Sequence, residues 1–489
     1  MGVRVPCRSD RVVIGALWRD GAVYALGTIV SRGLGLLLLP LYTYALPPDS
    51  FGLLDLIVSA GVLVNLIVPL ETPQAVARLW NERKAGAARQ RLAATGLAFT
   101  AIGYALFVVV GLAVAPWVAA LLSARDDAVG AVRAGVVFIA ANGLMVVLQG
   151  QFRYALRAHA YALVGVAYSL LVLIGMAALV AAQRADVASV LWLQAAAAAA
   201  ATVASAWALR GDIGWRLARA ELREMLRYSL PLVPAGIAVF ATLHLHRYLL
   251  GALGTLDEVG LYGVANRLAG VATLVLMGVQ SALTPLVYAH HDQPDTPAKL
   301  ARLLETFWCL SLLTCLALAA FAPELLALLA PGGYAGAAPL VLWLAPAALL
   351  AQMYIFSPGI ALAKKTRWQL ALTVASAVLG ALLAVQLIPS WQATGAAAST
   401  CAAAALFFAA WLAMGQRLYP LPLRWAALAA VSVAYLVLAA MASQLIGWTL
   451  GAPAWAAKAA LLLAMLAAIV ATGALRPWPQ ARRRARQEP

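Results

Sequence analysis

Arg32, Arg247 and Arg267 each lie inside a long apolar run, and no Asp or Glu sits at the depth of Arg32. A guanidinium grips phosphate or carboxylate through two parallel hydrogen bonds. Where such a run crosses lipid, a cation at mid-depth costs about 2.5–3.5 kcal/mol even on the lenient insertion scale, so it faces a watery cavity or a partner. Three such cations with few acids point to an anionic cargo. Arg32 is the deepest, about ten residues from either end of its run, which is too far for its head to snorkel to an interface. Arg247 is four residues from the end of its run and shares a helix face with His244, so interfacial anchoring is its alternative role.

Beside Arg267, the residues Tyr262, Asn266, Gly270, Thr273, Met277, Gln280 and Thr284 recur at spacings of 4, 4, 3, 4, 3 and 4, which is one face of a helix. Asn266 and Gln280 suit that face to a hydrated cavity; its small residues suit close helix packing equally. Arg32, Arg247, Arg267, Asn266 and Gln280 are the expected substrate-binding residues. His244 and His246 are coupling candidates because imidazole titrates near neutrality, although structural histidines would look the same. Asp55 and Glu71, near the two ends of the second run, are the next coupling candidates. No catalytic, metal or cofactor set is expected: the 5 His form no H-x-x-E-H-like cluster and the 4 Cys no CxxC pair.

The elements that position these residues follow from composition. With 64% hydrophobic and 11% charged residues, a 489-residue soluble globule would lack the polar surface to cover itself. The chain reads as an all-α polytopic membrane protein. Runs of about 20 apolar residues, the length a spanning helix needs, fall near 21–46, 52–75, 93–122, 131–151, 160–182, 187–209, 227–251, 259–288, 304–329, 337–362, 368–388, 393–415, 423–446 and 454–475, giving about 14 transmembrane helices. The first run is span-length with no small-residue cleavage site before Pro47, and is expected to remain as a helix. Pro40, Pro69, Pro73, Pro231, Pro234, Pro285, Pro346 and Pro358 interrupt runs or their ends, as static kinks or as hinges.

Of the 35 Lys and Arg, 28 fall in or beside alternate connections, and only Arg125, Arg133, Arg184 and Lys458 fall in the opposite ones. The basic side is cytoplasmic. Both termini are therefore expected in the cytoplasm, in a multi-pass protein of the cell inner (plasma) membrane. The net charge of +16 is explained by topology rather than by nucleic-acid binding. The opposite connections are short and leave no room for a soluble catalytic domain, so no enzyme is expected.

Asp49-Ser-Phe-Gly-Leu53 opens the second run and Asp257-Glu-Val-Gly-Leu261 the eighth, 208 residues later. Both aspartates read as helix N-caps. Six spans separate the copies, an even number, so the two halves share an orientation and form a parallel repeat about an axis along the membrane normal. The expected organisation is an N-lobe of helices 1–6 (1–209), a C-lobe of helices 7–12 (210–417), and helices 13–14 with a basic cytoplasmic tail (418–489).

Four segments carry a resemblance. They are Phe51-Gly-Leu-Leu-Asp55 running into Ala77-Arg78; Arg227-Tyr-Ser-Leu-Pro-Leu-Val-Pro234; Val259-Gly-Leu-Tyr-Gly-Val-Ala-Asn-Arg-Leu-Ala269; and Gly333-Tyr-Ala-Gly-Ala-Ala-Pro339. With them the chain resembles the multidrug/oligosaccharidyl-lipid/polysaccharide (MOP) exporter superfamily, and within it the polysaccharide-transporter branch of Wzx-type oligosaccharide flippases. The resemblance implies a flippase that translocates a polyprenyl-(pyro)phosphate-linked oligosaccharide across the bacterial inner membrane by alternating access, for surface or exopolysaccharide biosynthesis. Its implied partners are that cargo, membrane lipids, and the polysaccharide polymerase and glycosyltransferases of the same synthesis. Relatives often carry an Asp-Arg pair where this chain has His246-Arg247. The alternatives are a multidrug exporter of the same superfamily, for which cationic drugs would call for buried acids, and an integral membrane glycan polymerase, which the short outer connections disfavour.

Overall fold

A computed structural model describes residues 33–83, 86–123, 125, 127–211, 218–273, 293–363, 365–445 and 452–473, with Gly27, Val30 and Ser31. Among the described residues the chain is helical, with no strand. This is what lipid imposes, because a backbone without water must satisfy its polar groups within its own segment. Eleven helices among these residues are long and apolar enough to cross a membrane. The shorter helices Gly33–Ala45 and Leu256–Val271 hold the described parts of two further expected runs.

The chain divides into two compact units, 1–240 and 241–489. The first contains α1 (Gly33–Ala45), α2 (Pro48–Ile67), α3 (Thr72–Glu82), α4 (Ala87–Leu122), α5 (Ala128–Tyr154), α6 (Ala158–Ala181), α7 (Val187–Ala208) and α8 (Arg219–Ser229). It also holds the start of α9 (Val233–Leu253), so the division falls inside one helix. At the centre is α5, packed on α2, α4, α6 and α7, with two thirds of its apolar window buried. By contrast α4 and α6 keep most of theirs at the surface, where Leu106, Val109, Trp117, Leu163 and Ile174 would meet lipid. Gly143 shows how α5 packs so closely: a Cβ there would overlap the Tyr104 hydroxyl, which donates to Asn65 Oδ1 at 2.7 Å.

The second unit contains the rest of α9, then α10 (Leu256–Val271), α11 (Thr296–Ala320), α12 (Ala322–Leu329) and α13 (Ala338–Met353). The segment Thr366–Leu418 is 53 residues of helix, about 80 Å if straight, against a hydrocarbon core of about 30 Å. It is not straight. Gln392 has φ 49 and ψ −128, Pro389 precedes it, and Ser376 Oγ donates to the carbonyl of Ala403 at 3.1 Å, so the chain doubles back as a hairpin. Its arms are α14 (366–391) and α15 (393–418). The bend is closed by Glu258 at the start of α10, whose Oε2 accepts from the Ala393 backbone N–H at 3.0 Å. The unit ends with α16 (Trp425–Leu445) and α17 (Ala452–Ala471), both packed on α11.

Turn chemistry accounts for several boundaries. Asp186 and Ser189 form a reciprocal capping box at α7. The expected caps Asp49 and Asp257 are instead first-turn residues: the N-cap of α2 is Pro47 and that of α10 is Thr255, whose side chain accepts from the Glu258 N–H. An acid in the first turn still favours the helix dipole. The Leu-Pro-x-x-Pro sequence makes a 3-10 turn at Leu230–Leu232 between α8 and α9. Pro285 lies outside the described residues.

Candidate functional site

Consecutive residues of a helix point about 100° apart, and α9 uses this to give His244, His246 and Arg247 three surroundings. His246 is 2% exposed and packs on the α14–α15 hairpin, against Gly380 and Ala403. A Cβ at 380 would stand 2.9 Å from His246 Nε2, so a larger residue there fits only if the ring shifts. Arg247 is half-buried, with its guanidinium carbon 5.9 Å from the centre of the Tyr262 ring on α10, within cation–π range. His244, one turn before Arg247, is half-buried too.

Tyr262 is 1% exposed and its hydroxyl lies 3.0 Å from Thr400 Oγ1 on α15. The N-terminal end of the polar stripe on α10 is therefore a helix contact at Tyr262. Asn266 and Arg267 are half-buried. Gly270 is open, since a Cβ there would meet nothing within 4 Å. His246, Arg247, Tyr262, Ser376 and Thr400 thus form a polar seam where α9, α10 and the α14–α15 hairpin meet. Arg32 and Gln280 lie outside the described residues.

Asp55 and Glu71 belong to the first unit. Asp55 is 3% exposed in the buried stretch of α2. Glu71 sits at the break between α2 and α3, where Leu70 and Glu71 both adopt left-handed backbone, φ 48 and 57. Non-glycine residues there cost roughly 1–2 kcal/mol each. The Glu71 carboxylate accepts from Gln74 Nε2 at 3.0 Å and lies beside Gly236.

The second unit also holds a cavity of about 580 Å³ between α11, α13, α15 and α16. Trp308, Leu312, Trp343, Leu349 and Leu436 wall it, and no charged residue does. Trp308 Nε1 donates to Ser432 Oγ at 3.0 Å, while the Tyr435 hydroxyl, buried at the wall, has no hydrogen-bond partner. Its chemistry is that of a hydrocarbon host.

Four ion-pair clusters escaped the sequence reading. Glu305, 1% exposed on α11, receives Arg424 through the backbone N–H, Nε and Nη2, while Arg424 Nη1 donates to the Gly473 carbonyl. That one guanidinium fastens α11 to the start of α16 and the end of α17. Lys458 was expected in an outer connection. It lies instead inside α17, fully buried, paired with Glu324 on α12 and 5.7 Å from the Phe321 ring centre. Arg83 bridges Glu221 and Glu224, tying α8 to the end of α3. Arg125 pairs with Asp49 and Asp127, and its hydrogen bond holds the Asp127 carboxyl below its ordinary range against a weaker desolvation. The signal was present for one cluster: Glu324 and Lys458 are each the lone charge of an apolar helix, and such a charge demands a partner.

No curated protein matches the chain. Among solved structures, the fold is similar to a lipid II flippase, MurJ, in an inward closed conformation, with a TM-score of 0.74 at 11% identity, covering 93% of this chain and 98% of that one. It is also similar to an inward-facing multidrug resistance MATE family transporter of the MOP superfamily, with a TM-score of 0.64 at 16% identity, covering 81% and 95%. Identities this low speak for the fold alone. Residues 17–289 match the family described as "Polysaccharide biosynthesis protein". That match spans more than half of the sequence and, with a multi-helix membrane fold like that of MOP-superfamily members, places the chain in the polysaccharide biosynthesis protein family.

Proposed function

We propose that the protein is a flippase that moves a polyprenyl-(pyro)phosphate-linked oligosaccharide across the inner membrane by alternating access, with both termini in the cytoplasm. Family membership carries this reading. The second unit supports it with two environments that suit an amphiphile: an uncharged cavity of about 580 Å³ for hydrocarbon, and the membrane-embedded Arg247 on the Tyr262 face for an anionic group. Arg32, Arg267, Asn266 and Gln280 complete the proposed cargo contacts, with His244, His246, Asp55 and Glu71 as coupling residues. A polymerase and glycosyltransferases would consume and supply the cargo.

The test uses purified protein in vesicles loaded with a fluorescent polyprenyl-pyrophosphate oligosaccharide, whose outward movement is read by chemical quenching from outside. The wild type should translocate it. Arg32→Ala and Arg247→Ala should insert at normal abundance yet lose translocation, and Arg32→Lys should recover only part, because an ammonium keeps charge without the planar fork. A second reading, multidrug export, is favoured by the uncharged cavity and by the fold shared with the MATE transporter. Ethidium efflux without movement of the lipid-linked glycan would replace the first reading with the second.

A further inference from the structure

His246 is a sealed imidazole in the polar seam. It is 2% exposed, and the polar group that faces its ring is the Gly380 backbone rather than a side chain. A neutral imidazole carries one N–H, which that backbone can accept, and its other nitrogen is left as a buried acceptor, which costs free energy to bury. A leucine or phenylalanine would fill the same space without that cost. The ring is also held closely, because Gly380 leaves it just enough room and Ala403 Cβ borders the same space.

The two helices that hold the ring offer no acid to pair with a protonated imidazole. On α14 and α15, the two helices that hold the ring, there is no Asp, Glu or second His; Arg367, Cys401 and Arg417 are their titratable or charged groups. On α9 the neighbours are His244, Arg247 and Tyr248, and on α10 they are Asp257, Glu258, Tyr262 and Arg267. Arg247 is a cation adjacent in sequence, and Glu258 is engaged by the Ala393 N–H at the hairpin bend. A proton placed on the docked ring would therefore sit as a buried charge with no acid on α14 or α15 to pair with it, which is unfavourable. A ring exposed to water would take the proton freely near neutral pH.

We propose that His246 is the proton-binding residue of the transport cycle. Its neutral ring is docked on the α14–α15 hairpin in the conformation described here, and a proton on Nδ1 or Nε2 releases it from that groove. Proton binding then favours the undocked state by its differential affinity for the two conformations, which is the requirement for a ligand to drive a conformational change. The cation that drives export is, on this inference, the proton. This deepens the transporter reading and rests on it, but one arm of its test needs no cargo.

In that arm the full-length protein in lipid nanodiscs is followed by amide hydrogen exchange across 374–384 between pH 8 and pH 5.5, corrected for intrinsic chemistry. Wild-type exchange should rise several-fold at the lower pH, His246→Gln should show no rise, and Gly380→Ala, which crowds the ring out, should exchange fast at both. An equal rise in wild type and His246→Gln would overturn the proposal. So would a wild type that does not respond, and if His246→Gln does not fold, slow exchange in Gly380→Ala would do so too. In the cargo arm, an imposed pH gradient should accelerate wild-type translocation and leave the slower His246→Gln rate unchanged; a retained gradient response would overturn the assignment. Failure of the wild type to move the glycan at all would count against the flippase reading and leave the exchange result standing.

Discussion

At the scale of single residues, among the described residues the buried charges Lys458 and Glu305 each sit in an ion pair. Lys458 and Glu324 illustrate the energetics. Alone, Lys458 would be a fully buried uncompensated charge, whereas paired with the half-buried Glu324 it holds α17 to α12. Breaking such a pair by removing one partner costs about 3–5 kcal/mol, while replacing both by apolar residues of similar volume is often neutral. Lys458→Met is therefore expected to lower the thermal stability of the detergent-solubilised protein sharply, and Lys458→Met with Glu324→Leu to restore most of it. A double variant as unstable as the single one would show that the pair does more than neutralise itself. Outside the membrane the sign of a pH effect can be worked out at Asp127. Arg125 depresses its folded-state pKa, so the stability it adds is present above the unfolded carboxylate value of about 4 and is lost as pH falls through the lower folded value. Melting curves between pH 5 and pH 2 should show a steeper decline for the wild type than for Asp127→Asn. The difference will be small, since the pair is half exposed.

Helix contacts depend on what is missing as much as on what is present. Gly143 on α5 admits the Tyr104 hydroxyl, and Gly380 on α14 admits the His246 ring. Gly143→Ala must displace Tyr104 from Asn65, so it is expected to lower the stability of the first unit by about 1–3 kcal/mol, as overpacking does. Pairing it with Tyr104→Phe, which removes the colliding oxygen, should recover part of the loss. Equal melting temperatures for wild type and Gly143→Ala would show that α4 and α5 can separate without penalty. The hairpin of α14 and α15 belongs to this scale as well. Two apolar runs separated by Pro389, Ser390 and Trp391 have no polar loop between them, yet a single residue with positive φ, Gln392, turns the chain. Glu258 from a distant part of the sequence supplies the hydrogen bond that closes the bend.

Across the whole molecule, orientation is the property with the most direct test. Reporter fusions at Arg219 and Gln480 are expected to read cytoplasmic, and fusions at Ala185 and Gly336 periplasmic; a periplasmic signal from Gln480 would overturn the even-span topology. Composition and run length determined by themselves that this is a multi-helix membrane protein, and the quoted segments placed it in its superfamily, because span length and hydropathy are local quantities set by the bilayer rather than by folding. The cationic positions were legible for the same reason, since an Arg in an apolar run is conspicuous wherever the helix goes. Partnership was not legible. Lys458 read as a loop residue because its carboxylate, Glu324, is 134 positions away. The stripe on α10 read equally as a cavity face or a packing face, because Tyr262 and Thr400, 138 positions apart, meet only when α10 packs on α15. His244 and His246 looked equivalent as titratable groups, and only packing on Gly380 and Ala403 separates a half-buried imidazole from a sealed one. Helix periodicity says which residues share a face, but what that face meets is settled by contacts between segments far apart in the chain.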